Sequence, residues 1–287
     1  MMAMGSHRGE ERVDGTGGLR IFVRSWRPSG AVHGVVAIVH GFNSHSGHYS
    51  WVADQLTAAG LAVYAVDLRG RGHSDGERFY VEKFADYVSD VETLVTFAKS
   101  RTPRLPLFLL GHSAGGVIAC IYALAHQSEL AGLICESFAF KVPAPDFALA
   151  VLKGLSHLAP HAHVLRLKNE DFSRDPAVVH AMNTDPLIAH EVQPTLTVAE
   201  MVRADERLER EFPDLKIPVL ILHGTLDKAT KPGGSLYFYN TVGSKDKTLK
   251  LYEGHFHDLL NDLDKEKVIA DIVKWLAAHL PGGSEGR

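Results

Sequence analysis

The chain has 287 residues, 45% of them hydrophobic and 22% charged, with a formal net charge of −4. That balance belongs to a globule of one large domain, or one domain with an insertion, and it excludes the basic stripe or polybasic tail expected of a nucleic-acid binder. The two cysteines, Cys120 and Cys135, lie inside apolar patterns and read as reduced core residues rather than a disulfide.

Residues 1–18 carry Arg8, Glu10, Glu11, Arg12 and Asp14 but no apolar stretch of signal-peptide type. They are expected to form a flexible N-terminus on a cytoplasmic protein, at most peripheral to a membrane. Residues 19–24 and 35–40 read as strands, the second almost wholly apolar and therefore central. Helical spacing from 49 to 59 ends at Gly60, and 61–66 is another apolar strand. Residues 84–99 form an amphipathic helix with Phe84, Tyr87, Val88, Val91, Leu94, Val95 and Ala98 on one face. Residues 105–128 contain no Asp, Glu, Lys or Arg, long enough to cross a bilayer on length alone. Three glycines, a proline and two histidines in that run favour a buried strand followed by a buried helix. Further strands are expected at 130–135, 219–222 and 248–252, and a last helix from 268 to 280 ends before Pro281. Strands alternating with helices imply right-handed crossovers and a mostly parallel sheet covered on both faces.

From 138 to about 212 the rhythm breaks, with prolines at 143, 145, 160, 176, 186 and 194. This is too long for a structureless loop and reads as a helical cap (138–212) inserted into a core made of 19–137 and 213–281. Phe147, Val151, Leu155 and Leu158 make an apolar stripe there, which Leu149 and Leu152 widen. Such a stripe either packs on the core, lines an acyl pocket as a lid, or touches lipid.

The chemistry concentrates at Gly111-His112-Ser113-Ala114-Gly115, a G-x-S-x-G run between the strand and helix of 105–128. It reads as a nucleophile elbow: Ser113 on a tight strand-to-helix turn, with the Ala114 N–H beside the reacting carbonyl. A serine needs a base, and the base an orienting carboxylate, in the chain order Ser, acid, His. Asp227 follows the strand 219–222, whereas Asp214 precedes it and Asp258 adjoins the histidine it would orient. His257 follows the last strand, with His255 as the rival base. The loop His40-Gly41-Phe42 after the strand 35–40 supplies a second oxyanion donor, the Phe42 N–H. There are 17 histidines, eight of them (His40, His45, His48, His73, His112, His223, His255 and His257) near expected strand ends, yet neither H-E-x-x-H nor a cysteine-paired metal spacing occurs. No metal or other cofactor is expected.

The segments His40-Gly41, His45-Ser46-Gly47-His48-Tyr49, 67–76, 111–116, Asn183-Thr184-Asp185-Pro186-Leu187, 223–227 and 246–254 with His257 resemble the monoacylglycerol lipase family of α/β-hydrolases. The resemblance runs from about residue 19 to 280. It implies an α/β-hydrolase fold, a mostly parallel eight-stranded sheet flanked by helices, with a helical cap after strand 6. It also implies the triad Ser113, Asp227 and His257. Where the family usually has an acid before His-Ser and an arginine before Tyr, this chain has Ser44 and His48. Those family residues help form the polar end of the pocket where glycerol hydroxyls are handled, so their absence is expected to loosen the glycerol preference and to leave the ester chemistry alone. The segment 67–76 reads as a structural strand end and glycine turn.

The reading is a serine ester hydrolase for monoacylglycerol-type or other monoesters with an apolar acyl arm, working through an acyl-enzyme on Ser113. Oxyanion donors are Phe42 and Ala114; substrate contacts are Ser44, His48, Phe147, Val151, Leu152 and Leu155. The partner is a small-molecule ester or monoacyl lipid, with transient membrane-surface contact through the cap and no nucleic acid. A carboxylesterase for short or aromatic esters, a lysophospholipase and a thioesterase are alternatives. A non-catalytic binder with this fold is a different class, disfavoured because a binder has no need of serine, acid and histidine in order.

Overall fold

A computed structural model describes residues 7–140 and 146–281. Its main sheet has eight strands in the order β1 (His7–Asp14), β2 (Arg20–Arg27), β4 (Leu61–Val66), β3 (Gly34–Val39), β5 (Leu107–His112), β6 (Gly132–Glu136), β9 (Val219–Gly224) and β10 (Lys247–Tyr252). From β4 to β10 every neighbouring pair is parallel, while β1–β2 and β2–β4 are antiparallel. Alternate residues of one strand feed two separate cores. Val35, Ala37 and Val39 of β3 pack with α2 (Phe84–Arg101) and α3 (Ala114–Ala125). Val36 and Ile38 pack with α1 (Ser50–Ala58) and α8 (Lys265–Ala278). With both faces covered, the central strands read as continuous apolar runs rather than alternating ones. The uncharged run 105–128 is thus β5 and α3, and among the described residues no helix is long and apolar enough to cross a membrane. Cys120 and Cys135 are free and buried.

The N-terminus corrects the expectation of flexibility over 1–18. Residues 1–6 lie outside the described residues, but His7–Asp14 is the edge strand β1, paired in register with β2 from His7↔Arg27 to Asp14↔Arg20. It escaped an apolar-pattern reading because an edge strand buries little, and charge is a common way to protect such an edge. Its backbone ladder holds it to β2, and exposed ion pairs such as Arg24 with Glu10 and Arg8 with Asp54 add little.

Between β6 and β9 lies a largely helical insertion: α4 (Asp146–Leu158), α5 (Pro176–Thr184) and α6 (Thr195–Glu211). It also holds a two-stranded antiparallel ladder of β7 (His163–Leu165) and β8 (Gln193–Pro194), too short to show as a strand pattern. The insertion leaves and re-enters the core at one aromatic cluster. Phe140 near its start lies 4.9 Å from Phe212 at its end, and Phe212 lies 4.5 Å from Phe238 of α7 (Pro232–Thr241) by ring centroids. Edge-on and tilted aromatic contacts of this kind fix the base of the insertion.

Candidate active site

Ser113 takes φ 54° and ψ −121° between β5 and α3, a left-handed conformation that side chains avoid unless the surroundings impose it. Neighbouring glycines impose it here. A Cβ on Gly111 would stand 2.4 Å from the Gly115 carbonyl oxygen, and one on Gly115 would stand 2.2 Å from the Val39 carbonyl oxygen. Only hydrogen fits at either place. The Ser113 N–H donates to the Glu136 carbonyl at 2.9 Å, tying the turn to the end of β6. Because α3 begins at Ala114, its first N–H groups are free of intrahelical partners and available to an oxyanion.

His257 and Asp227 come from the loops after β10 and β9. His257 Nδ1 meets Asp227 Oδ2 at 2.8 Å, both side chains buried. His257 Nε2 is buried without a hydrogen-bond partner among the described residues, and His257 lines the same cavity as Ser113. The ring is wedged between Phe172, edge-on at 4.8 Å, and His112 at 4.9 Å. Asp227 Oδ1 accepts the N–H groups of Ala229 (2.8 Å) and Thr230 (2.9 Å), and Oδ2 accepts the Thr230 hydroxyl at 2.9 Å. Burial works against its ionisation, but His257 and His223 outweigh it and hold the carboxyl well below the usual carboxylate range. The rival residues are otherwise engaged: His255 Nδ1 faces Asp262 at 3.8 Å, Asp214 sits in a one-turn 3₁₀ helix before β9, and Asp258 hydrogen-bonds Asn261.

Sequence reasoning passed over His223 as a partner of the acid. Its Nε2 lies 3.0 Å from the same Asp227 Oδ2 and its Nδ1 is 2.7 Å from the Ser235 hydroxyl, so Asp227 is shared by two imidazoles. His223 ends β9 four residues before Asp227, and that spacing was the only available signal. Beneath the site lies a polar floor of His112, Glu136 and Asp258, all buried. Glu136 Oε1 accepts the Leu259 N–H at 2.8 Å, which anchors the loop of His257. Burial and then Asp258 push the Glu136 carboxyl well above its ordinary value, and burial pushes His112 down to about 4 despite Asp258.

The loop carrying Phe42 presses on the nucleophile. A Cβ on Gly41 would stand 2.8 Å from Ser113 Cβ, so glycine lets the backbone close to contact distance. Phe42 and Ala114 both line the cavity with Ser113, Thr230 and His257. The far wall is apolar, made by Leu165, Leu167, Val198 and Met201 of the insertion, none of which sequence reasoning singled out. Val198 and Met201 are one helical step apart, a visible but unspecific signal.

The expected substrate contacts fall outside this cavity. Phe147 and Val151 of α4 are 74% and 66% exposed, Leu155 is also exposed, and Leu152 is half-buried. None of the four is in the cavity lining, because α4 turns its stripe toward solvent and packs through its other side on α6. Ser44 and His48 are displaced too. His48 Nε2 lies 3.0 Å and His45 Nε2 2.8 Å from the same Asp185 Oδ2, and Ser44 Oγ is 3.3 Å from His48 Nδ1. These three donors lie close enough to invite a metal reading. However, His45 Nδ1 accepts the Gly47 N–H at 3.1 Å, so its Nε2 carries the proton and donates to Asp185. The set is a hydrogen-bonded seam between core and insertion.

A family model described as Hydrolase_4, serine aminopeptidase S33, matches residues 30–264. The chain belongs to this family. It is 35% identical to a monoacylglycerol lipase of Mycolicibacterium smegmatis over 96% of this chain and 99% of that one. It is 33% identical to a monoglyceride lipase of Homo sapiens over 91% and 88% of the two chains. The crystal structure of a Paleococcus ferrophilus monoacylglycerol lipase superposes with a TM-score of 0.79 at 29% identity, covering 96% of this chain and 100% of that one. The fold is therefore the α/β-hydrolase fold, and the chain is a serine hydrolase of the esterase and lipase group.

Proposed function

We propose that the protein hydrolyses monoacylglycerol-type esters, and other monoesters with one apolar acyl arm, through an acyl-enzyme on Ser113. The observation that carries this reading is the His257–Asp227 hydrogen bond of 2.8 Å, with His257 Nε2 buried and without a hydrogen-bond partner among the described residues, in a ring that lines the same cavity as Ser113. His257 takes the Ser113 proton as Oγ attacks the ester carbonyl, and Asp227 stabilises the imidazolium. The N–H groups of Phe42 and Ala114 receive the developing oxyanion, each worth about 3 kcal/mol in comparable sites. Protonated His257 releases the alcohol, and a water activated by the same ring then clears the acyl group.

Leu165, Leu167, Val198 and Met201 suit the acyl arm, where each buried CH₂ contributes about 0.8 kcal/mol. The cavity measures only ≈ 60 Å³, far below the roughly 300–1,000 Å³ of a site that encloses a ligand. The cavity as it stands is too small to enclose a long acyl chain, and the apolar side chains from the insertion are the part of its wall that can adapt. The relatives named as monoacylglycerol lipases and the outward stripe of α4, with Leu158 86% exposed, support delivery from a lipid surface. A panel of p-nitrophenyl esters from acetate to palmitate, beside mono-, di- and triacylglycerols, tests the reading. Hydrolysis of monoesters with little triacylglycerol turnover is expected; triacylglycerol preference or no ester hydrolysis overturns it.

Simple alkyl or aryl esters form a second reading with its own observation. His48 and Ser44 are engaged with Asp185 and each other rather than with the cavity, so nothing in the lining selects glycerol.

A further inference from the structure

The insertion also grips the loop that carries Phe42. Glu191, between α5 and β8, is buried, and its Oε1 accepts the backbone N–H of Asn43 at 3.0 Å. The same carboxylate is ion-paired with Arg71, from the loop after β4, both side chains 1% exposed. Gln193 closes the group: its Nε2 donates to Glu191 Oε1 at 2.6 Å, and its Oε1 accepts from Arg71 Nη2 at 2.8 Å. The guanidinium carbon of Arg71 in turn stands 4.4 Å over the Phe42 ring. Asn43 has φ 52°, a conformation that a non-glycine residue holds only when tied. Its side-chain Nδ2 makes another tie to the insertion, donating to Asn169 Oδ1 at 2.8 Å.

A buried ion pair returns little net stability over an apolar pair of the same volume, because both charges lose their hydration. What it does supply is register, since its geometry is satisfied in one arrangement only. Here the arrangement joins one segment of the insertion to the two residues that follow Gly41.

We propose that Glu191 and Arg71 are positioning residues for the oxyanion site: Glu191 fixes the Asn43 amide, Arg71 pins the Phe42 ring, and together they aim the Phe42 N–H at the carbonyl when the insertion is seated. This rests on the assignment of Ser113 and Phe42 above. Seating of the insertion is thereby coupled to the chemistry, since a lifted insertion takes Glu191 away from Asn43 and leaves the donor unaimed.

The test is the double variant Arg71→Met/Glu191→Leu, which replaces the pair by apolar groups of similar size, beside Glu191→Gln, which keeps an acceptor for Asn43. Steady-state kinetics with p-nitrophenyl butyrate, Ki for an alkyl trifluoromethyl ketone that forms a tetrahedral oxyanion on Ser113, and Tm are measured. In the double variant kcat should fall about 10- to 100-fold with KM within about twofold, and the ketone should weaken by the same factor. Glu191→Gln should recover most of kcat. Should the double variant not fold, Arg71→Lys decides: it keeps the charge opposite Glu191 but loses the plane over Phe42, and the same kcat-against-KM split is expected at smaller size. A shift in Tm with kcat and Ki unchanged overturns the proposal, as does a parallel loss in kcat and Ki that Glu191→Gln does not relieve. Ser113→Ala separates the two levels. If it is inactive while the pair variants are normal, only the positioning role fails; if it is active, the assignment of the nucleophile fails.

Discussion

On the sheet side of the cavity, Gly111, Gly115 and Gly41 stand where any Cβ would meet backbone or the nucleophile within 3 Å. On the insertion side, Leu165, Leu167, Val198 and Met201 meet the cavity through apolar side chains that other apolar residues of similar volume can replace. The first half is fixed by main-chain geometry and tolerates no variation. The second is fixed by shape and can be retuned. Chemistry belongs on the rigid half, where a displacement of about 1 Å costs about 10²-fold in rate, and substrate choice on the adaptable half.

The largest effects are therefore expected on the sheet side. Ser113→Ala should reduce kcat with p-nitrophenyl butyrate by about 10⁶-fold while circular dichroism and Tm stay normal. His257→Ala and Asp227→Asn should each cost about 10⁴-fold, and His255→Ala far less. A dead His255→Ala beside a near-normal His257→Ala would move the base two residues along the loop.

The same contrast decides what was legible in the sequence. The elbow could be read because geometry that excludes every residue but glycine leaves a fixed pattern, and the order Ser, Asp, His is set by strand order. The insertion was recognisable by its length and broken strand rhythm, yet the direction in which the α4 stripe faces was not. An apolar stripe at helical spacing looks the same whether it turns inward or outward, and here Phe147 and Val151 turn outward. Strand β1 was missed for the opposite reason: its charged residues give no apolar signal, and its pairing comes from the backbone ladder. The Glu191–Arg71 pair joins residues 120 apart, a separation no local pattern reveals.

The rigid half carries a stability cost in acid. Burial holds His40 down at about 3, with Asp67 opposing, and His112 at about 4. An unfolded chain takes up these protons below about pH 6.5, whereas the native protein refuses them until far lower pH. The associated stability is complete above that value and declines as pH falls toward 4, by at most about 1.4 kcal/mol per pH unit for each group. Urea unfolding at pH 7, 6 and 5 should show this slope, reduced by the buried Glu136 carboxyl, whose raised value contributes the opposite sign, and His112→Gln should flatten it. A stability independent of pH across that range would mean that water or a counter-charge solvates these rings.

On the adaptable half smaller and more selective effects are expected. Phe147→Ser/Leu158→Ser should leave kcat/KM for p-nitrophenyl butyrate in buffer unchanged, because neither residue lines the cavity. Turnover of monoacylglycerol presented in phosphatidylcholine vesicles should fall about tenfold, as two apolar anchors are lost from the surface contact. Equal losses in both assays would place α4 in the acyl site instead.

The smallest effect concerns the alcohol. Both ring nitrogens of His48 are engaged, Nε2 with Asp185 and Nδ1 with Ser44, and Asp185 is held well below the usual carboxylate range chiefly by His48. A ring so committed is a poor ligand for glycerol hydroxyls, so glyceryl and ethyl esters of the same acid should differ by less than about tenfold in kcat/KM. Ser44→Ala should leave that ratio where it is. His48→Ala frees one hydrogen bond on Asp185 and loosens the seam, so it should lower kcat/KM for both esters alike. A strong glyceryl preference in the parent enzyme that vanishes in His48→Ala would show instead that the ring swings from Asp185 to the alcohol during turnover. The polar end of the site would then belong to the adaptable half, with the seam of His45, His48 and Asp185 as its moving part.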